Sequence, residues 1–339
     1  MTYTLPNVDD TLVWDNWLSM YRVPSITVAL ELDIFESLDA VPDTAEGLAA
    51  RRGFDARGLR ALLPMLLQQG FLHLHESRYH LSEAARSYLL KGSPFFWGGL
   101  YSRVAKTLVA HKLLLETVDG SRAQAAKTRA ADGWESGHVD MAMAREVTAF
   151  MHSHSIAAAI GMTRSFDFSG THRMLDVGGG SGCFSIAVAL LREDIRCSVM
   201  ELPTICELAR NYIADAGVTA QVDTIVVDMF RQAWPAGYDT HFFSNIFHDW
   251  NPETCLDLAR RSHAALPVGG RILLHEMLLD DGRLTPAPAV AFSLLMAMGT
   301  LGQQFTFVQL RDILHEAGFR HIECRQTYGH YSIVSGTKV

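Results

Sequence analysis

The chain is short of charge. Only 19% of its 339 residues are Asp, Glu, Lys or Arg, and 37 acids outnumber 29 bases for a formal charge of −8. A protein that coats nucleic acid or an anionic membrane needs the opposite balance. Cysteine is sparse too: Cys183, Cys197, Cys206, Cys255 and Cys324 stand apart with no C-x-x-C pair. They read as reduced, mostly buried thiols of a cytoplasmic protein. There is no apolar run of about 18 residues, so no membrane span is expected. No basic-then-apolar leader opens the chain, so no secretion is expected. Internal repeats and low-complexity tracts are missing as well. What is present is 48% apolar residues, enough for a large core in two domains.

Residues 1–105 have a helical grammar with one short hairpin. Ile26, Leu30, Ile34 and Leu38 recur at helical spacing. Thr44 and Asp55 stand where helix N-caps belong, and Gly70 closes the leucine-rich run from Leu59 to Leu67. Phe71–Leu74 and Arg78–Leu81 flank Glu76-Ser77 as two short strands. Helix, helix, hairpin is the pattern of a winged helix, so DNA binding by a regulator with a sensing α/β domain is an alternative from another class. Arg51, Arg52, Arg57 and Arg60 cluster near the turn, yet residues 41–91 hold seven Lys/Arg against five Asp/Glu. That surplus is too small for a basic stripe, which favours a dimerisation scaffold. Residues 106–165 read as a helical bridge contributing to an acceptor pocket, with a small, polar and mobile stretch from Gly120 to Gly137.

From residue 166 to 339 strands alternate with helices. Strands are expected at Arg173–Val177, Cys197–Leu202, Thr224–Val227, Thr240–Phe247 and Arg271–Met277. Phe319–Arg325 and Tyr331–Thr337 suit a closing antiparallel hairpin. The fold class is therefore α/β: a doubly wound, mostly parallel seven-stranded sheet with an N-terminal winged-helix domain.

Asp176-Val177-Gly178-Gly179-Gly180-Ser181-Gly182 follows the first of these strands and opens a helix. Glycines let backbone approach a ligand, and a helix start offers free N–H groups. Cys183 occupies the place of the last glycine in a dinucleotide-binding G-x-G-x-x-G. D-x-G-x-G-x-G instead resembles the loop of methyltransferases that hold S-adenosyl-L-methionine. Glu201 ends the second strand, where a carboxylate can accept both ribose hydroxyls. Asp228-Met229-Phe230 ends the third, where an acid can face an adenine amino group and a methionine can pack on the ring.

The fourth strand runs into Ser244-Asn245-Ile246-Phe247-His248-Asp249-Trp250, and the fifth ends at Glu276. A histidine titrates near neutrality, and a neighbouring carboxylate can set its tautomer. The set LDVGGGSG (175–182), VMELP (199–203), VDMF (227–230), NIFHDW (245–250) and GGRILLHE (269–276) resembles the small-molecule O-methyltransferases that include the plant caffeic acid and hydroxyindole enzymes. The resemblance spans nearly the whole chain. It implies His248 as general base with Glu276 orienting it and Asp249 beside it. It implies cofactor contacts from Gly178, Glu201, Leu202, Asp228 and Met229, with Asp176, Gly180, Phe230 and Ser244 grouped with them. It also implies a homodimer, its Trp14–Trp17 segment interlocking, and no metal.

Two positions depart from the plant pattern. Ser244 stands where those enzymes carry Lys, and Gln304 stands where a second acid flanks the histidine. The expected reaction is methyl transfer to the hydroxyl of a small aromatic acceptor, with ring C-methylation as the alternative. Trp97, Tyr101, Phe150, His154, Phe292, Leu295, Met296 and Gln304 are the candidate acceptor contacts.

Overall fold

The computed structural model describes residues 5–121, 137 and 139–339. The stretch read as a mobile connection, 120–137, therefore lies almost wholly outside the described residues. Contacts divide the chain into two units. One comprises Leu12–Arg129 and Leu279–Gln304; the other comprises Met1–Thr11, Ala130–Leu278 and Phe305–Val339. Residues 279–304, read from sequence as part of the sheet domain, thus make their contacts with the N-terminal helices.

The first unit holds α1 (Thr11–Leu18), α2 (Arg22–Glu31), α3 (Ile34–Ala40), α4 (Ala45–Arg52) and α5 (Ala56–Gln68). The hairpin of β1 (Leu72–His75) and β2 (Arg78–Leu81) follows, then α6 (Glu83–Tyr88), α7 (Gly98–Ala105) and α8 (Val109–Val118). Thr44 and Asp55 cap α4 and α5 by accepting from the N–H groups of Gly47 and Gly58. The apolar series from Ile26 to Leu38, one helix by spacing, is broken at Asp33, which is left-handed at φ 54°. A short polar side chain tolerates that conformation, and the break lets Leu30, Ile34 and Leu38 all stay buried.

The four arginines near the turn are all engaged within this unit. Arg51 pairs with Asp43, and Arg60 with Glu46. Arg52 donates to the carbonyl of Leu32. Arg57 donates to the carbonyls of Ala297, Thr300 and Gly302 at 2.8, 3.1 and 2.9 Å. It thereby satisfies the Ala297 carbonyl in the last turn of a later helix and two carbonyls just past that helix's end. Arg57→Ala is expected to lower unfolding stability by about 2 kcal/mol, as for charged hydrogen bonds lost from a partly buried site. Urea denaturation measures it, and a change under about 0.5 kcal/mol would refute the capping role.

The second unit is built on a seven-stranded sheet in the order β5-β4-β3-β6-β7-β9-β8. Its elements begin with α9 (Met141–Ser165), β3 (Arg173–Val177), α10 (Cys183–Leu191), β4 (Arg196–Glu201) and α11 (Pro203–Ala216). They continue through β5 (Val222–Val226), β6 (Thr240–Ser244), α12 (Pro252–Ala265) and β7 (Arg271–Met277). In the first unit α13 (Ala287–Gly299) comes next, and α14 (Phe307–Glu316), β8 (Phe319–Gln326) and β9 (Tyr331–Lys338) close the sheet. Strands β3 to β7 are parallel, and β9 and β8 are antiparallel, as the closing hairpin requires. The central strands are buried on both faces, so Met174, Leu175, Phe242 and Phe243 are all at 0% exposure. This is why they read as continuous apolar runs rather than alternating ones. Leu258, Leu310 and Leu314 of α12 and α14 pack with Phe243, Ile272 and Leu274.

Candidate active site

Between β3 and α10 the backbone turns through three left-handed glycines, Gly178, Gly180 and Gly182, with φ of 66°, 56° and 75°. A Cβ on Gly178 would stand 2.6 Å from the Ile246 side chain, so this turn closes against the segment after β6. A Cβ on Gly180 would meet nothing within 4 Å. That glycine borders open space and carries the strain-free backbone a ligand can approach.

The acids around the loop divide by role. Asp176 lies beneath it, 1% exposed, and accepts a 2.7 Å bond from Ser185 of α10. It buttresses the turn, and burial raises its carboxyl to about 6. Glu201 stays partly exposed at the end of β4. Its two oxygens accept from the N–H groups of Gly180 at 3.2 Å and Leu202 at 2.8 Å. Burial lifts it to about 7, opposed by those two bonds. Asp228 accepts from the N–H of Phe230 and pairs with Arg231 at 2.7 Å. Its carboxylate is thus engaged in capping its own turn. Met229 is half-buried, and Phe230 meets Trp250 edge-on with ring centroids 4.7 Å apart.

The expected strand Thr240–Phe247 stops three residues early. Asn245 is left-handed at φ 55° and turns the chain into a 3₁₀ turn over Phe247–Asp249. Asparagine is among the few side chains that adopt this conformation readily. The turn brings the Phe247 N–H onto the Glu276 carboxylate at the end of β7, donating to Oε1 at 3.0 Å. From α12, the Cys255 thiol donates to the Phe247 carbonyl at 3.2 Å. His248 is 2% exposed, with Nδ1 3.3 Å from Glu276 Oε2 and Nε2 3.8 Å from Asp249 Oδ1. Burial pushes Glu276 up to about 8, and the charge of Asp249 adds to this. Burial also raises Asp249, to about 7, although 38% of its side chain meets solvent and tempers the shift.

The sequence reading thus brings Gly178, Gly180, Glu201, Leu202, Ser244, His248, Asp249 and Glu276 to one rim, the carboxyl ends of parallel strands, where open α/β sheets bind ligands. The candidate acceptor contacts are less uniform. Phe150 and His154 lie on α9 of the sheet unit with rings 5.1 Å apart, and burial lowers His154 to about 4. The rest belong to the helical unit. Trp97 is 54% exposed, and Tyr101 and Leu295 are half-buried. Phe292 packs on Trp14 at 5.5 Å and Trp17 at 6.4 Å, which commits its ring to the core of that unit. Met296 and Gln304 are buried at 8% and 0% exposure.

Composition and spacing missed two groups. His152 of α9 shares a 2.8 Å bond with the Ser181 hydroxyl of the glycine loop. His275 of β7 bonds Ser244 at 3.0 Å. Strand alternation could have flagged His275, since it must face opposite to Glu276.

The comparisons with known proteins agree with this geometry. The O-methyltransferase domain family matches residues 112–320, and the O-methyltransferase dimerisation domain matches residues 16–91. The chain is 29% identical over 330 residues to 3-hydroxy-5-methyl-1-naphthoate 3-O-methyltransferase of Streptomyces sahachiroi, covering 97% of this chain and 95% of that one. It is 28% identical to L-tyrosine C(3)-methyltransferase of Streptomyces lavendulae, over 87% of this chain and 82% of that one. An O-methyltransferase family 2 protein from Planctomyces limnophilus, solved in complex with apigenin, superposes with a TM-score of 0.86 at 23% identity, covering 99% and 98% of the two chains. At that identity the likeness speaks for the fold. With a matching family over more than half its length, the chain belongs to the S-adenosylmethionine-dependent O-methyltransferases and carries their dimerisation domain.

Proposed function

We propose that this enzyme moves the methyl group of S-adenosyl-L-methionine to the hydroxyl of a small aromatic acceptor, with His248 as general base. One observation carries the reading: an imidazole whose Nδ1 lies 3.3 Å from Glu276 Oε2, one strand away from an open glycine turn. The residues fit the methyl donor. Gly180 leaves room beside its backbone, and Glu201 has lone pairs left for two hydroxyls. Gly178, Gly180, Glu201, Leu202, Met229, Phe230 and Ser244 would hold it, and Asp176 and Asp228 would shape the turns that do. When bound, the donor supplies a methyl group made electrophilic by its sulfonium charge.

The chain's own residues then have two tasks. Glu276 holds the proton on Nδ1, so Nε2 keeps its lone pair for the acceptor hydroxyl. Asp249, 3.8 Å from Nε2, supplies a negative charge that favours the imidazolium as the proton arrives. That contribution matters because Gln304 stands where relatives of the plant type place a second acid. Phe150 and His154 suit one wall for a flat guest. A phenol, with a pKa near 10, is within reach of a positioned imidazole.

Residues 1–105 would serve as the dimerisation domain, 106–165 as the bridge, and 166–278 with 305–339 as the cofactor domain of a homodimer. Leu12, Val13 and Met20 are 75%, 71% and 55% exposed, and these apolar side chains suit cover by a second copy. All five cysteines are free thiols, which suits the cytoplasm, and no described helix is long and apolar enough to cross a membrane.

The test incubates the protein and labelled donor with phenols and hydroxy-aromatic acids. S-adenosylhomocysteine and an aryl methyl ether are the expected products. A protein that binds S-adenosylhomocysteine yet methylates no hydroxyl in the set would refute the reading. Ring C-methylation is the second reading, favoured by the likeness to the tyrosine C(3)-methyltransferase. Chemical demethylation separates the two, because an ether is cleaved and a ring methyl is not.

A further inference from the structure

Behind the rim lies a buried polar chain that the proton-transfer pair does not use. Ser244 ends β6 and is only half-buried. Its hydroxyl lies 3.0 Å from His275 Nδ1, in register on β7. His275 is 0% exposed, stacked on Tyr331 at 4.7 Å and 6°, with Phe184 edge-on at 5.0 Å. Its Nε2 lies 3.3 Å from the Thr327 hydroxyl, and that hydroxyl donates to the Tyr331 carbonyl at 3.1 Å. Burial drives His275 down to about 3, so the ring is neutral and carries one proton.

The Thr327 bond to the Tyr331 carbonyl favours one arrangement of protons along the chain. A hydroxyl oxygen 3.1 Å from a carbonyl oxygen must place its hydrogen between them, or two sets of lone pairs repel. Thr327 therefore has no hydrogen for His275 and must accept one from Nε2. A neutral imidazole protonated on Nε2 has a lone pair on Nδ1. The hydrogen of Ser244 is then drawn inward to Nδ1, and its oxygen turns only lone pairs toward the rim. The position is a hydrogen-bond acceptor, the opposite polarity to a lysine in the same place.

Sheet order says which part of a ligand meets it. Glu201 ends β4 on one side of β3, and Ser244 ends β6 on the other. A donor with its ribose at Glu201 and lying across the glycine turn would bring its amino-acid tail toward Ser244. We infer that the Thr327–His275–Ser244 relay makes Ser244 an acceptor dedicated to the α-ammonium of that tail, with His275 as its positioning residue. The inference rests on the reading of the site as an S-adenosylmethionine site and adds which end of the ligand Ser244 recognises, and how.

Two measurements test it on the full-length protein. Nitrogen-15 NMR of labelled histidine should show His275 as the Nε2–H tautomer; an Nδ1–H tautomer overturns the relay outright, whatever any variant does. Calorimetry should show wild type preferring S-adenosylhomocysteine roughly 10-fold or more over its analogue with hydrogen in place of the α-ammonium. S244A should cut that preference to about 3-fold by weakening the parent ligand alone, and H275F, which keeps the ring stack, should move it the same way. Equal weakening of both ligands, or no change, would overturn the assignment to the ammonium. Wild type binding neither ligand would instead remove the cofactor site itself, and the inference with it.

Discussion

His248→Ala is expected to lower kcat by about 10³-fold while leaving the Kd for S-adenosylhomocysteine within roughly three-fold of wild type. The split follows from the geometry. The imidazole lies 2% exposed in the turn after β6, and the donor contacts assigned here belong to the loop after β3, the ends of β4 and β6 and the segment after β5. A general base contributes to the transition state and little to ground-state binding of the donor. The loss should be greatest for acceptors of high pKa, because a strongly acidic phenol needs no base. Single-turnover kinetics with two phenols of different acidity reads this directly. A variant that keeps turnover within a few-fold on both would remove His248 from the mechanism.

Glu276→Gln is expected to cost about 10²-fold in kcat and to flatten the acid limb of the pH profile. Glu276 is 1% exposed and works in two directions at once. Oε1 accepts from the Phe247 N–H at 3.0 Å, which holds the turn, and Oε2 lies 3.3 Å from Nδ1 of the ring. The sign of the pH effect follows from the proton between them. With Glu276 protonated, its hydrogen points at Nδ1 and the neutral ring must carry its own on Nε2, where nothing can be accepted. With Glu276 ionised, the proton sits on Nδ1 and Nε2 is a base. Burial holds Glu276 up to about 8, so turnover should climb with pH toward that region and fall as pH drops through it. Glutamine keeps an oxygen for Phe247 N and so preserves much of the turn, yet it cannot ionise. A purely structural role would lower activity equally at all pH values, and an unaltered acid limb in the variant would refute the coupling.

Arg57 shows what local sequence pattern leaves undecided. Four arginines beside a helix–turn–helix pattern suggest a nucleic-acid surface, yet each finds a partner inside its own unit, and Arg57 caps the end of α13. The partners lie as many as 245 residues away, beyond what a local window can register. Phe292 is similar. It is read as an acceptor wall from its place on an apolar helix, and its ring also packs on Trp14 and Trp17, which no local window registers.

Other features were legible because their causes are local. Strands β3 and β7 begin and end where their apolar runs do, since both faces of a parallel strand must be buried. The caps at Thr44 and Asp55 follow from one side chain and an N–H three residues on. The glycine turn needs left-handed backbone that other residues disfavour, and chain order alone places Glu201, Ser244 and Glu276 at strand ends. By itself, then, the sequence determined the alternation of strands and helices and the left-handed glycine turn, and it supplied the proposal that His248 and Glu276 form the base and its acid. Only the folded sheet decided that β6 breaks at Asn245, that Glu276 accepts from the Phe247 N–H while lying 3.3 Å from the His248 ring, and that Thr327 reaches His275 across 52 residues. Conformational preference acts between near neighbours in the chain. The direction of a buried proton depends on every group around it, and those groups are neighbours only once the strands have paired.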